Sequence, residues 1–488
     1  MENSNLNRDE LREAGYSADV LPTKQEDRTW NVGNFATVWM GSVHNIPNYI
    51  AIGGLFAIGL SVGQVFAAIM AASIILALVM VLNGHAGSKY GLPFAMLLRA
   101  SYGSKGAMIP GVLRGVIAAI MWFGFQTFAG SQALVILIGK LWPGFLTLGG
   151  DFNLLGLTMP ALIGFLLFWA FNVALIYGGM DFLGKFTNIL SPLVYIVFGG
   201  MAIWAINLAG GIGPILAYTG TGVEGNSIII FLGAVTAVIA AWAAPMVSVS
   251  DFTRLAKSHK DQAVGQTVGL IVTYLLFAVA SIAIIVGSEI AFGTPIWNVL
   301  DVVAKFDGTF AIAISVLTLC LTTLSVNVTG NIVPAGYQIA SLFPKVFTFR
   351  TGATVAAVIG ILVMPWKLME NSTSIFTFLN IVAGLLAPIT GVMLAQYFVV
   401  SKMKIDLKEL YSHNGKYSYK NGFNVNAIVT TLVIGCISLI GNFVPFFEPL
   451  YEISWFVGII GAFIMYSLLE YPHMKEMKMQ GKLNEGEN

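Results

Sequence analysis

Two interrupted apolar stretches decide the fold of this chain: Trp39-Met-Gly-Ser-Val-His-Asn-Ile-Pro-Asn-Tyr49 and Ala240-Ala-Trp-Ala-Ala-Pro245. Proline has no N–H, so Pro47 cannot donate to the Val43 carbonyl and Pro245 cannot donate to the Ala241 carbonyl. We expect each proline to leave an unpaired acceptor about one turn earlier. In lipid every backbone polar group must be paired within the protein, so a broken helix is tolerated only beside a cavity or in the protein interior. The two breaks therefore predict a binding site.

Composition places the chain in a membrane. Of its 488 residues 57% are hydrophobic and 10% are charged, and many apolar runs reach the length of about 18 residues that crosses a bilayer as a helix. The formal net charge of +1 argues against nucleic acid as a partner. Cys320 and Cys436 lie in apolar runs, so we expect neither a disulfide framework nor a thiolate metal site. The polar stretch 1-32 lacks the features of a signal peptide.

Apolar run lengths predict an all-α polytopic membrane protein with twelve transmembrane helices. The predicted spans are roughly 33-57, 62-83, 109-139, 157-178, 186-208, 227-250, 264-290, 309-342, 351-367, 374-400, 425-445 and 451-470. An even number of spans puts both termini on one side of the membrane. All of the 25 Lys and Arg residues except Lys140, Lys305 and Lys367 fall on that side. By the positive-inside rule both termini are cytoplasmic, and we expect a multi-pass protein of the cell membrane.

The two breaks open the first and the sixth predicted span, which is the same place in each of two sets of five. Because five is odd, the second set lies inverted relative to the first, an arrangement typical of secondary transporters. The predicted organisation is a cytoplasmic N-terminal tail (1-32), a first five-helix repeat (33-208), an inverted second repeat (227-400), a cytoplasmic loop (401-424), two additional helices (425-470) and a cytoplasmic C-terminal tail (471-488).

Polar side chains at membrane depth mark the candidate site. Trp122 and Gln126 are four residues apart in the third span, so they share one helix face. The eighth span carries one polar stripe of Thr323, Asn327 and Asn331 and a second of Thr322, Ser325 and Thr329. Amides and hydroxyls also hold membrane helices together, typically for about 0.6 kcal/mol each, and this packing role stays open for single stripe residues.

Five stretches carry a resemblance to a known family. They are Trp39 to Tyr49, Met121-Trp122-Phe-Gly-Phe-Gln126-Thr127, Trp242 to Asp251, Asn331-Ile-Val-Pro-Ala-Gly-Tyr337 and Phe343-Pro-Lys-Val-Phe-Thr-Phe-Arg350. In them the chain resembles nucleobase cation symporter family 1, the hydantoin, uracil, cytosine and allantoin permeases, and it looks most like the bacterial allantoin permeases. The resemblance covers nearly the whole chain. It implies a leucine-transporter-like fold of five plus five inverted helices with two further helices, and secondary transport by alternating access.

The resemblance also implies a substrate site. The two aromatic walls of the family's site correspond to Trp122 and Trp242, and its ring-reading amides correspond to Gln126, Asn331 and Asn45. A planar ureide ring has two π faces and an edge of alternating N–H and C=O groups. Stacking on an aromatic side chain contributes roughly 1–3 kcal/mol for a nucleobase, and neutral amides supply both donors and acceptors to such an edge.

Two further positions complete the predicted substrate site. The resemblance places the family's backbone contact at Ala241, which agrees with the acceptor that Pro245 is expected to free. His44 lies in the first break and adds an ionisable group at membrane depth, where such groups are functional candidates by default. A role in packing stays equally open for the His44 imidazole.

The coupling ion is where the chain departs from the sodium-using pattern. The family's sodium site corresponds to Gly41, His44, Thr322, Ser325 and Val326, and Val326 stands where a second hydroxyl is expected. A hard cation prefers several oxygen ligands, so the shell is one ligand short. The sequence thus favours proton-coupled or sodium-independent transport, with H⁺ or Na⁺ as the possible coupling ion and no other cofactor.

An enzyme, a channel and a transporter of another substrate are the alternatives to an allantoin importer. An enzyme would need a catalytic constellation, and the sequence shows no metal-spaced cluster, activated nucleophile or phosphate loop. A channel normally lines its pore with rings of charges or carbonyls from symmetric copies. Within transport, the alternative to an importer of allantoin is a sodium-coupled symporter of hydantoins or of a pyrimidine such as uracil or cytosine. The expected partners are a small-molecule substrate and the lipid bilayer, with no obligatory protein partner.

Overall fold

A computed structural model shows a predominantly helical protein. It describes all residues except 1–7, 14–15, 17–19, 179, 224, 294–295, 297, 307, 344–345, 413 and 486–488. Parts of the predicted tails, 1-32 and 471-488, and two positions of the motif that ends at Arg350 therefore lie outside the described residues.

The helices follow one another in three groups. The first group is α1 (Arg8–Glu13), α2 (Val32–Val43), α3 (Ile46–Ala57), α4 (Val62–Tyr90), α5 (Phe94–Tyr102), α6 (Met108–Val112), α7 (Ala119–Leu141), α8 (Met159–Gly178) and α9 (Met180–Leu208). The second is α10 (Ile212–Leu216), α11 (Ser227–Ala240), α12 (Ala243–Val247), α13 (Ser250–Thr253), α14 (His259–Phe292), α15 (Val299–Val303), α16 (Thr309–Asn327), α17 (Val333–Leu342), α18 (Phe349–Leu362), α19 (Pro365–Leu368) and α20 (Ser372–Leu394). The third is α21 (Leu407–Tyr411), α22 (Val425–Leu439), α23 (Glu448–Glu452) and α24 (Ser454–Glu485).

Smaller elements link these helices. Leu113–Ala118, Val328–Ile332 and Ala395–Val400 are π-helical and continue α6 into α7, α16 into α17, and α20 towards the loop. Short 3-10 helices occupy Gln25–Asp27, Pro143–Thr147, Lys416–Ser418, Ile440–Asn442 and Pro445–Phe447. Strands β1 (Asn153–Leu154) and β2 (Leu157–Thr158) pair antiparallel, Asn153 opposite Thr158.

Eight described helices are long and apolar enough to cross a membrane: Val62–Tyr90, Met108–Leu141, Met159–Gly178, His259–Phe292, Thr309–Ala340, Thr373–Val400, Val425–Asn442 and Ser454–Pro472. Four shorter apolar helices, Ile46–Ala57, Pro192–Leu208, Ser227–Ala240 and Phe349–Leu362, fall where the first, fifth, sixth and ninth spans are predicted. The protein is therefore a multi-pass helical membrane protein. The count of twelve spans stays a prediction.

Both predicted breaks are present. In the first, α2 ends at Val43 and α3 begins at Ile46. In the second, α11 ends at Ala240, and the chain continues in the short helices α12 and α13. The predicted sixth span, 227-250, is therefore not one continuous helix. A turn at Ala241 and Trp242 separates α11 from α12, which contains Pro245.

Close packing of α14 organises the core around the first break. α14 packs along α4, α2 and α9, while α7 packs on α16 and α8 and α20 packs on α24. A Cβ on Gly269 of α14 would lie 2.7 Å from the Cα of Ala36 in α2. Small residues let membrane helices approach this closely, so Gly269 sets the distance between α14 and α2.

Gly269→Ala is expected to destabilise the protein by about 1–3 kcal/mol, because the added methyl group forces the α2 and α14 backbones apart. Thermal unfolding in detergent measures the effect as a lower midpoint temperature. The matched control is Gly200→Ala in α9, where an added Cβ meets nothing within 4 Å. Equal midpoints for the two variants would contradict this account of the packing.

Candidate functional site

The first break is held by its own asparagines. Asn45 caps α3, since its Oδ1 accepts from the Asn48 N–H (3.0 Å) and its Nδ2 donates to the Ser42 carbonyl (2.7 Å). The Asn48 Nδ2 donates to the Val43 carbonyl (2.8 Å), which also accepts from the Asn45 N–H (3.0 Å). The prediction that Pro47 leaves the Val43 carbonyl unpaired is therefore wrong. An asparagine side chain supplies the donor that proline lacks.

The Asn45 amide can form further hydrogen bonds in addition to those that cap α3. Its oxygen has a second lone pair and its nitrogen a second hydrogen, so each can still bind one more partner. The residue is 3% exposed, which places the amide in the protein interior. Asn45 has a structural task that the sequence did not reveal, and its contact with a substrate stays a prediction.

His44 turns its ring into an aromatic cage beside the same break. Its ring centroid lies 4.6 Å from that of Tyr195, 5.1 Å from that of Phe198 and 5.3 Å from that of Phe277, all edge to face. Neither ring nitrogen has a hydrogen-bond partner within the described part of the chain. The imidazole thus lies among side chains of α9 and α14, and none of the predicted substrate-site residues is among its ring contacts. The predicted contact of His44 with a substrate or an ion stays a prediction.

The second break places Trp242 at a corner of the chain. Trp242 is the N-cap of α12, and the first bond of the new turn runs from the Met246 N–H to the Trp242 carbonyl (2.9 Å). Because Pro245 has no N–H, the Ala241 carbonyl lacks the donor that a continuous helix would supply. The Ala241 carbonyl as a free acceptor that contacts a substrate stays a prediction.

Two aromatic rings contact the indole of Trp242 at steep interplanar angles. It meets Trp39 at 5.7 Å and Tyr274 at 6.2 Å between ring centroids, with interplanar angles of 72° and 66°. Phe252 packs on the far side of Trp39 at 5.8 Å. These edge-to-face contacts fix the orientation of the Trp242 ring, and among the described residues no aromatic ring stacks parallel on it.

Trp122 and Gln126 form the second part of the site on α7. Trp122 makes edge-to-face contacts with Phe125 (5.5 Å) and with Phe378 of α20 (4.8 Å). The Gln126 Oε1 and the Trp122 Nε1 are both buried and have no hydrogen-bond partner among the described residues. Buried polar atoms are nearly always paired, so these two atoms mark a place where water or a bound molecule supplies the partner.

Asn331 is tied through Asn327 to the neighbouring face of α7, which carries Phe123 and Thr127. The Asn327 Nδ2 lies 3.0 Å from the Thr127 Oγ1, 3.1 Å from the Asn172 Oδ1 and 3.2 Å from the Phe123 carbonyl. The Asn331 Nδ2 in turn donates to the Asn327 Oδ1 (3.0 Å). The predicted facing of Asn327 and Asn331 is confirmed. Asn331 sits in a π-helical segment, a geometry frequent at functional sites.

The predicted cation positions lie on α2 and α16, near the first break. The Thr322 Oγ1 donates to the Thr318 carbonyl (2.9 Å) and so keeps lone pairs that can bind a cation. Ser325 is buried, whereas Gly41 and Val326 are half-buried. Val326 presents methyl groups where a hydroxyl oxygen is expected. The described residues contain no group of three or more His, Cys, Asp or Glu side chains that could hold a metal ion.

Arg114 is a charged residue inside the predicted third span, and the sequence motifs did not single it out. It is 3% exposed, and its Nε donates to the Ala244 carbonyl (2.6 Å) and to the Ser248 Oγ (3.2 Å). It thereby ties the π-helical start of the third span to the second break. The available signal was an ionisable residue within an apolar run, since such residues are rare at membrane depth.

Asn83 of α4 was also missed, and it completes the second break. Its Nδ2 donates to the carbonyls of Met246 (2.8 Å) and Val247 (3.0 Å), at the end of α12. The last carbonyls of a helix have no partner within the helix, so this amide pairs groups that the short α12 leaves open. A single Asn in a long apolar helix was the only sequence signal.

Comparison with known proteins identifies the family. The family model for permeases of cytosine/purines, uracil, thiamine and allantoin matches residues 22–458. The chain is 56% identical over 463 residues to a permease of Escherichia coli (strain K12) that is named for allantoin, covering 94% of this chain and 96% of that protein. It is 47% identical over 456 residues to the allantoin permease of Bacillus subtilis (strain 168), covering 93% of each.

Solved structures show the same fold. The inward-facing conformation of Mhp1 matches with a TM-score of 0.77 and 24% identity, over 95% of this chain and 94% of that chain. The closed conformation of Mhp1 with bromovinylhydantoin bound, described as a nucleobase-cation-symport-1 family transporter, also gives a TM-score of 0.77 over 95% of this chain and 96% of that one. The family expected from the sequence motifs is thus confirmed, and it is a family of transporters and not of enzymes. The chain belongs to the family of permeases for cytosine/purines, uracil, thiamine and allantoin.

Proposed function

We propose that this protein imports allantoin across the cell membrane by alternating access, as a secondary transporter. Two similar proteins carry allantoin in their names, and one of them shares 56% of its aligned residues with this chain. The observation that carries the proposal is the buried Gln126 Oε1, which has no hydrogen-bond partner among the described residues. An unpaired buried acceptor costs about 1–3 kcal/mol, and a ureide N–H would supply the missing donor.

The proposed site lies between the two helix breaks and α7. A ureide ring stacks on Trp122 and Trp242, whose contacts with Phe378 and Trp39 are T-shaped and not parallel. Gln126 and Asn331 read its polar edge, with Asn45 and the Ala241 carbonyl on the opposite side. Allantoin has a ureide arm in addition to its ring, so it offers more N–H and C=O groups than uracil. A site with several amides pairs more of these groups, and it rejects analogues that leave its buried polar atoms unpaired.

Alternating access would follow from the proposed five plus five arrangement. The repeats, 33-208 and 227-400, each open with one of the broken helices, and the two further helices, 425-470, pack on the second repeat through α20. Both termini and the loop 401-424 lie in the cytoplasm in this proposal, in keeping with the distribution of Lys and Arg.

We propose that substrate transport is coupled to protons or is not coupled to an ion. Val326 removes one oxygen from the predicted sodium site, and carbonyls with the Thr322 and Ser325 hydroxyls are what remains. The alternative is a sodium-coupled symporter of hydantoins or of a pyrimidine nucleobase. The fold shared with Mhp1, whose closed form holds bromovinylhydantoin, favours hydantoins among these alternatives.

Excess unlabelled allantoin is expected to compete best for uptake of radiolabelled allantoin by proteoliposomes. Substituted hydantoins are expected next, whereas purines, amino acids and sugars should have no effect, because they present a different edge to the amides. Competition by uracil or cytosine at a much lower concentration than allantoin would overturn the proposed substrate. The family membership would stand in that case.

Trp122→Ala and Trp242→Ala are each expected to weaken substrate affinity by more than about tenfold, since each removes a stacking surface. Phenylalanine at either position should retain part of the affinity. The control is Trp142→Ala, because Trp142 is 56% exposed and lies outside the proposed site. Competition binding on purified protein measures the affinities, and unchanged values in both site variants would remove the two walls from the site.

Gln126→Ala is expected to lower substrate affinity by about tenfold while leaving the unfolding temperature unchanged or higher. The reason is that the substitution removes a buried polar atom that the folded protein leaves unpaired. Binding and thermal unfolding are measured on the same preparation. A lower unfolding temperature with unchanged affinity would show that the Gln126 amide serves packing instead.

Substrate affinity is expected to change less than about threefold between sodium, potassium and choline buffers, because the shell at Val326 is one oxygen short. Val326→Ser restores a hydroxyl and should increase the effect of sodium. A tightening of tenfold or more by sodium in the unsubstituted protein would show that the remaining ligands suffice, since a coupled ion and substrate must strengthen each other's binding equally.

A further inference from the structure

A second, strongly basic pocket lies away from the proposed substrate site, where α4 ends and α14 begins. It is open to one side and has a volume of about 490 Å³, within the range of small-molecule sites. Five cationic side chains from four segments of the chain line it: Arg28, Lys89, Lys257, Lys402 and Lys404. Among the described residues that form its wall there is no Asp or Glu. The pocket therefore gathers positive charge that its own lining does not neutralise.

Arg28 is the buried member of this set. It is 5% exposed, and its Nε and Nη1 donate to the carbonyls of Thr23 (3.1 Å) and Ser88 (2.9 Å). Its Nη2 is buried without a hydrogen-bond partner, and no ion pair to Arg28 occurs among the described residues. Burial lowers the pKa of the Arg28 guanidinium below its ordinary value. A buried cation without a counter-charge is costly, so an anion in the pocket would stabilise it.

The loop after α20 is held over the pocket in an unfavourable backbone conformation. Lys402 and Met403 both have positive φ, 47° and 60°, which is uncommon for residues other than glycine. The Lys89 Nζ and the Tyr90 hydroxyl both donate to the Met403 carbonyl, at 2.8 Å and 2.9 Å. These bonds hold Lys402 at the rim of the pocket. Backbone strain of this kind costs about 1–3 kcal/mol and clusters at functional sites.

The start of α14 places helix N–H groups at the pocket, together with the Asp261 carboxylate, which accepts a hydrogen bond from the Ser258 Oγ (2.6 Å). This helix of 34 residues begins at His259, after the N-cap Ser258, and both residues line the pocket. The first N–H groups of a long helix bind anions readily, because their dipoles add up along the axis. The His259 ring lies 4.2 Å from that of His85, which is bonded to the Tyr397 hydroxyl at 2.7 Å. Both histidine rings line the pocket.

We propose that this pocket binds a phosphate-bearing anion. A phosphate monoester carries about 1.5 to 2 negative charges near neutral pH and a phosphodiester carries one. Both offer several acceptor oxygens, which matches lysines, a guanidinium and a helix N-terminus converging on one cavity. The positive-inside rule accounts for basic residues on this face, and scattered side chains such as Lys408 and Lys420 would satisfy it. The rule does not explain why these basic residues converge on one cavity. It also does not explain why Arg28 is buried without an ion-pair partner among the described residues. The phosphate belongs either to a soluble compound or to a lipid headgroup.

The test uses the purified full chain and measures thermal unfolding during titration with pyrophosphate at constant ionic strength. A bound anion would contact the N-terminal segment, α4, α14 and the loop, and would thereby stabilise the folded state. We therefore expect the unfolding temperature to rise by several degrees and to saturate with pyrophosphate. Lys257→Gln combined with Lys402→Gln should weaken pyrophosphate binding by at least tenfold. The control, Lys408→Gln combined with Lys420→Gln, removes the same charge from exposed positions outside the pocket and should leave binding unchanged.

A parallel arm distinguishes the two sources of phosphate. The same protein is placed in nanodiscs of phosphatidylcholine or of phosphatidylglycerol, and native mass spectrometry counts retained lipids. Retention of phosphatidylglycerol that the pocket variant loses and the control variant keeps assigns a headgroup. Pyrophosphate binding of equal strength in both nanodiscs assigns a soluble ligand. Absence of both effects, or an equal effect in the pocket and control variants, overturns the proposal.

Discussion

The structure depends on one constraint: backbone groups that leave helical geometry inside a bilayer must find partners in the protein. At both breaks, side chains supply hydrogen-bond partners for these backbone groups, either from the same segment or from other helices. Asn45 and Asn48 pair the groups around the first break from within the same segment. At the second break the partners come from other helices, since Asn83 and Arg114 reach across from α4 and from the segment before α7. The breaks are therefore fixed parts of the tertiary structure.

The polar side chains that hold the helices together differ from those that a substrate can bind. The Asn45 and Asn48 amides at the first break and the amides of Asn172, Asn327 and Asn331 form hydrogen bonds at about 3 Å, and they hold the helices in place. Gln126 and Trp122 lie on the face of α7 next to that chain, yet one polar atom of each is buried without a partner among the described residues. Amides that hold the helices together thus lie next to buried polar atoms that a bound molecule can pair.

Two buried guanidinium groups tie segments of the chain together. The Arg114 Nε donates to the Ala244 carbonyl and to the Ser248 Oγ at the second break, while its Nη1 is buried without a hydrogen-bond partner among the described residues. Arg28 has donors satisfied by carbonyls but retains a buried Nη2 without a described partner, beside a cavity lined by lysines. Two buried guanidinium groups thus differ in what surrounds them. The difference lies in the neighbouring segments and not in the residue type.

The sequence by itself determined the class, the family and the position of the two breaks. Run length and composition required membrane helices, because too much apolar surface is present for a soluble core, and Pro47 and Pro245 required interruptions whatever the fold. The spacing of Asn327 and Asn331 also sufficed to place both on one helix face. Only the tertiary structure decided which acceptors remain open. It paired the Val43 carbonyl with Asn48, enclosed His44 in aromatic rings and brought Arg114 to Ala244. Such contacts depend on the direction of individual side chains and on helices distant in sequence, which neither hydrophobic periodicity nor a proline position encodes.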